Sequence, residues 1–148
     1  MLGINTQAVS INTNSYNYPN LTYTFTNLPG TALGETKSTQ TTGEGTAANI
    51  LLDINAAGRG WFMDSTPLSN DEYLPTSNPN EWIAKASSAA ADKMDLLSVL
   101  LHEYGHALGF EHSSDPHDFM GTSLTAGVRR LPTEIGRASC RERVLRRV

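Results

Sequence analysis

Hydrophobic and aromatic side chains alternate with polar ones from Leu21 to Leu28 (LTYTFTNL), setting Leu21, Tyr23 and Phe25 on one side with the two-residue period of a β-strand. Pro29-Gly30 ends that strand, and a second short extended piece is expected over Ala32 to Thr39. The Thr/Gly-rich stretch TTGEGTAA leads to NILLDIN, Asn49 to Asn55, whose unbroken Ile50 to Leu52 run predicts a strand buried on both faces. AAGRG then turns the chain. From Trp61 to Ala91, Pro, Ser, Asn and Asp dominate, and a long surface loop is expected, with at most a helical turn near Glu81 to Ala86. Trp61 and Phe62 are expected to pack against the sheet. Residues 1–20 carry no such periodicity and read as a loosely held polar arm or the remnant of an upstream region.

The period changes after Asp92. DKMDLLSVLLHEYGHALG predicts a helix capped by Asp92 or Asp95, and Gly109 is placed to end it in the left-handed conformation. At about 100° per residue, Leu97, Leu100, Leu101, Tyr104 and Leu108 gather on one side. His102 and His106, four residues apart, stand on the other, where two imidazoles reach one metal. Beyond the turn that Gly109 permits, His112 can approach the same ion from outside the helix. Three neutral imidazoles leave the fourth position of a tetrahedral zinc open, the mark of a catalytic rather than a structural site. Glu103, beside the first ligand, is placed to take a proton from a water there.

HEYGHALGFEH, His102 to His112, resembles the HExxHxxGxxH signature of the metzincin metalloproteases, matching all five fixed positions. Met120, eight residues after His112, resembles the methionine of the metzincin turn, and its spacing, with Ser113 and Gly121, is similar to that of a bacterial-type matrixin. The resemblance implies an α+β zincin-like fold over residues 21–133: a mixed twisted sheet, an edge strand for substrate and an active-site helix. Leu21 to Asn27 would be the central strand and Leu33 to Thr36 the edge strand, with Leu33, Gly34 and Glu35 on substrate. Asn49 to Asn55 would follow, and Met120 would form the floor of the site without ligating zinc. The implied activity is that of a metalloendopeptidase with one Zn2+ on His102, His106 and His112, and Glu103 as catalytic base. Residues 1–20 do not resemble the strand and long helix that open a matrixin domain, so the domain is expected to be truncated at its front. The histidines of a matrixin structural zinc site are not expected either, since only His117 remains besides the three ligands, and no inhibitory propeptide cysteine is seen in this sequence.

The 148 residues suit one domain, and 39% hydrophobic with 18% charged residues fits a soluble globular chain. No apolar run is long enough to span a bilayer, and no secretory signal is visible at the start. An extracellular or cell-surface location is what the family resemblance implies. Residues 134–148 differ abruptly from the rest: Ile135 to Val144 resembles a translated sequencing-adapter read, and the stretch is set aside as a non-native tail rather than a basic helical one. Without its five arginines and two glutamates, six basic residues face 13 acidic ones, a formal net charge of −7. Such a body does not suit nucleic acid or an anionic membrane. The one cysteine, Cys140, leaves with the tail. Asp53, Asn55, Asp64, Asp71 and Glu72 could offer oxygens to Ca2+, but lacking a regular spacing they read as a solvated acidic surface, and His117 as an exposed loop residue. A monomer acting on protein or peptide substrates is the expected working form. The alternative is a non-catalytic, zinc-stabilised adhesion or binding module of a larger surface protein.

Overall fold

A computed structural model describes residues 21–40 and 46–132. The polar arm, most of the Thr/Gly-rich stretch and the adapter-like tail lie outside the described residues. The first sheet holds β1 (Leu21–Thr26), β2 (Gly34–Gln40) and β3 (Thr46–Asp53), in the order β1-β3-β2. β1 runs parallel to β3 and β2 antiparallel to it. β3 therefore takes the centre, whereas β1, expected there, forms a margin of this sheet among the described residues. Ala48, Ile50 and Leu52 of β3 are buried, while Ala47, Asn49 and Leu51 are only half-buried, so full burial on both faces is not what the Ile50 to Leu52 run achieves.

β3 stops at Asp53 because its carboxylate turns back on the chain, accepting hydrogen bonds from the backbone N–H groups of Leu28 at 2.9 Å, Ala57 at 2.8 Å and Asn55 at 3.3 Å. Ala56 and Ala57 follow at φ of 55° and 53°, a conformation that needs such an external hold. Burial pushes the Asp53 carboxyl up, but these N–H donors outweigh it and leave the pKa below the usual aspartate value. The stabilisation is thus present above the ordinary carboxylate range and is lost as pH falls through the depressed value. Asp53→Asn should lower the urea midpoint at pH 7, with the gap from the parent narrowing once both are measured below pH ~3. A gap that widened in acid would contradict this role.

Trp61 donates its indole N–H to the Asp53 carbonyl at 2.8 Å and opens β4 (Trp61–Phe62). β4 pairs in parallel with β7 (Met94–Asp95). The stretch expected as one long loop also contains β5 (Tyr73–Pro75) and β6 (Glu81–Ala84), which with β8 (Val128–Arg130) make a second antiparallel sheet in the order β5-β6-β8. Glu81–Ala84 is a strand, not a helical turn. Its partners explain the difference: Ile83 pairs with Leu74 on one side and with the distant Val128 on the other.

The single helix among the described residues, α1 (Leu96–Ala107), starts at Asp95, whose carboxylate accepts from the Ser98 N–H at 3.3 Å and the Ser98 hydroxyl at 2.6 Å. Leu97, Leu101 and Tyr104 carry the expected apolar face onto Ile50 and Leu52. Leu52 and Leu101 are fully buried, each contributing about 1.5–3 kcal/mol relative to exposure. Gly109, at φ +93°, donates to the His106 carbonyl, and Phe110 to that of Gly105, both at 2.9 Å. This paired closure is a Schellman motif, and it sends the chain back toward the helix. The architecture is α+β. Among the described residues no helix is long and apolar enough to cross a membrane.

Candidate metal centre

The one-turn spacing of His102 and His106 and the reversal at Gly109 bring three imidazoles together. The Nε2 of His106 lies 3.1 Å from that of His102 and 3.2 Å from that of His112. Two nitrogens bound to one zinc at tetrahedral angles stand roughly 3.3 Å apart, so the spacing already approximates a coordination sphere. The second nitrogens fix the tautomers. His102 Nδ1 bonds to the Phe119 carbonyl and His106 Nδ1 to the Phe110 carbonyl, each at 2.8 Å. Since a carbonyl only accepts, both Nδ1 atoms carry the proton and both Nε2 atoms present lone pairs. Two such lone pairs 3.1 Å apart repel unless a cation lies between them. Burial also lowers the His102 pKa, against the opposing pull of the Phe119 carbonyl and of Glu103, and so favours the neutral, ligating form. Among the described residues, His102, His106 and His112 are the His, Cys, Asp or Glu group with a metal-binding arrangement.

Glu103 is not a fourth member of this trio. It leans from α1 toward β2 and is buried, with 5% of its surface exposed. There Thr36 places its hydroxyl 2.6 Å from Oε2 and 2.8 Å from the Glu103 carbonyl oxygen. Gly34, on the same face of β2, leaves room for the carboxylate: a Cβ there would stand 2.8 Å from Cγ, 2.9 Å from Oε1 and 3.0 Å from Cδ of Glu103. Beside these groups opens a cavity of about 590 Å³, lined by Leu33, Gly34, Val99, His102, Glu103, His112, Phe119 and Leu124 among others. Leu33 and Gly34, expected on substrate, are among the residues that line this cavity. The side chain of Glu35 is exposed, 4.0 Å from Lys37, and is not part of the lining.

Met120 is buried against the helix backbone between the two ligand turns, so close that a Cβ at Gly105 would lie 2.4 Å from its sulfur. A short ladder ties this turn to the third histidine: the Ser113 N–H donates to the Met120 carbonyl at 2.9 Å, and Ser113 bridges to Gly121. Position 121 is a tight place for any larger residue, because a Cβ would sit 3.0 Å from the Asp118 carbonyl oxygen and 3.2 Å from that of Pro116. Gly109 acts through the reversal already described, and His117, exposed as expected, lies 3.2 Å from the Glu81 carboxylate.

Sequence reasoning missed the groups that brace the centre. Arg129 is fully buried, pairing through Nε and Nη2 with both Asp95 oxygens at 2.8 and 2.9 Å and through Nη2 with Asp64 at 2.8 Å. Asp53 and Asp64, read as solvated acids, are buried in structural bonds instead. Arg130 bonds to Glu81 at 2.8 Å and lines the cavity. No local pattern marks these arginines, because their partners lie dozens of residues away. The carbonyls of Phe110 and Phe119 carry no side-chain signal at all.

In this α+β domain the helix and the loop after it converge three histidines on one point, beside a buried glutamate, an arrangement that could hold a metal ion. The family model described as matrixin matches residues 40–133, more than half of the chain, and the chain belongs to that family. β1 and nearly all of β2 precede the matched stretch. No curated protein and no solved structure matched.

Proposed function

We propose that this matrixin chain is a zinc-dependent metalloendopeptidase. The observation that carries the reading is the convergence of three imidazoles, two of them fixed in tautomer, beside a carboxylate that is buried, yet lines an open cavity. His102, His106 and His112 would hold the ion, and the all-imidazole donor set suits Zn2+. Bound there, zinc would polarise a peptide carbonyl and acidify a coordinated water.

The chain's own residues supply the rest. Among the described residues β2 pairs only with β3, so its outer edge is free to receive an extended peptide through main-chain hydrogen bonds. That would carry the peptide past Leu33 and Gly34, with one side chain entering the cavity between α1 and Leu124. Glu103 takes a proton from the attacking water and returns it to the departing amine nitrogen. Met120 holds the helix at Gly105, and with it the spacing of His102 and His106.

Metal removal provides the test. The purified chain should take up one zinc, cleave an unfolded protein, stop cleaving when a chelator strips the ion and resume when zinc is returned. Cleavage at an unchanged rate with the metal gone would sink the reading. One bound zinc without any cleavage would favour the binding-module alternative.

A further inference from the structure

We infer that Thr36 is a positioning residue for Glu103, its hydroxyl holding Oε2 so that Oε1 is the oxygen that exchanges a proton with the reacting groups. The inference rests on the endopeptidase reading above. Three observations carry it. The Thr36 Oγ1 to Glu103 Oε2 distance of 2.6 Å is that of a short, charge-assisted hydrogen bond. Gly34, two residues earlier on the same strand face, sets bare backbone against the remainder of the carboxylate, where a Cβ would lie 2.9 Å from Oε1. One strand therefore supplies both the donor that fixes Oε2 and, at Gly34, the space in which the rest of the carboxylate lies. Glu103 is also almost fully buried, so a fixed donor matters more here than it would in water.

The hydroxyl has a second acceptor. It stands 2.8 Å from the carbonyl oxygen of Glu103 itself, and a single proton can serve only one of the two. While the carboxylate is charged, Oε2 is the nearer and stronger acceptor. The O–H bond of the attacking water then breaks, its proton goes to Oε1, the oxygen's electron pair forms the bond to the peptide carbon, and the π pair of the carbonyl moves onto the carbonyl oxygen. Oε2 is now the weaker acceptor of a neutral acid, and the Thr36 hydroxyl can turn to the backbone carbonyl without losing a hydrogen bond. When the carbonyl re-forms with the pair held on its oxygen, the C–N bond breaks and its electron pair stays on nitrogen. The proton on Oε1 passes there, and the hydroxyl returns to Oε2. Water and peptide give acid and amine, with Glu103 restored.

The test compares Thr36→Val, Thr36→Ser and Thr36→Ala in the zinc-loaded chain, using an internally quenched peptide that the parent cleaves. Thr36→Val should keep one zinc per chain and a KM within about twofold of the parent, while kcat falls about tenfold or more. Thr36→Ser keeps the hydroxyl and should recover kcat to within about threefold. Should the valine variant fail to fold, the serine and alanine variants decide: a serine kcat at least about tenfold above that of alanine supports the assignment, and equal values overturn it. A valine variant with the parent kcat, alongside an inactive Glu103→Ala, removes Thr36 from the mechanism and leaves the endopeptidase reading standing. If Glu103→Ala itself cleaves at the parent rate, that reading falls and this assignment falls with it.

Discussion

Glu103→Ala should lower kcat by roughly 10²- to 10⁴-fold, the usual contribution of a positioned general acid-base group, while zinc content stays at one ion per chain. The two halves of this expectation come from separate features. Zinc is retained because the converging atoms are the three Nε2 nitrogens, and the Glu103 carboxylate is engaged by Thr36 instead. Activity should be lost because that carboxylate, on the cavity wall with His102 and His112, is the proposed base. Stability gives a third reading of the same variant. A carboxylate 5% exposed and bonded to one neutral hydroxyl is costly to bury, so its removal should leave the unfolding midpoint unchanged or higher. A residue that served only to hold the fold would behave the other way. Peptide hydrolysis at the parent rate by a zinc-loaded Glu103→Ala chain would eliminate the proposed base.

Much of the centre was legible because its chemistry is local. His102, Glu103 and His106 share one helix, and the 3.6-residue period fixes their directions before any tertiary contact is known. Gly109 and His112 follow within six residues, where a helix-ending glycine has few ways to turn the chain. The strands were legible for the same reason wherever alternation or an apolar run marked them, as in β1 and β3. What could not be read was set by partners distant in sequence. Glu81–Ala84 offers little periodicity in four residues, and it becomes a strand through pairing with Val128–Arg130. β3 displaced β1 from the middle of the sheet because it pairs on both sides, which no single-strand pattern records. Asp64 looked like surface until Arg129 came to it, and Gly34 and Thr36 looked like substrate-strand residues until Glu103 leaned onto them.

Arg129→Met should destabilise the zinc-loaded chain by about 3–5 kcal/mol, the range for removing one member of a buried ion pair. That is a large share of the ~5–15 kcal/mol that folds an ordinary domain. Arg129 answers two buried carboxylates, Asp95 and Asp64, and stacks 4.3 Å over the Tyr73 ring. Methionine can fill much of the volume but leaves both carboxylates without a cation. Asp95 makes the loss felt at the metal centre: the same carboxylate caps α1, the helix that carries His102 and His106. The variant should therefore unfold at lower urea and bind zinc more weakly, although Arg129 touches none of the ligands. Asp95→Asn offers the control, since asparagine caps a helix nearly as well as aspartate while removing one of the stranded charges. If the buried charge is what hurts, Arg129→Met combined with Asp95→Asn should be at least ~1 kcal/mol more stable than the sum of the single losses predicts. Strict additivity, or an Arg129→Met midpoint matching the parent, would mean that β8 and the start of α1 are held together by packing rather than by this charge pair.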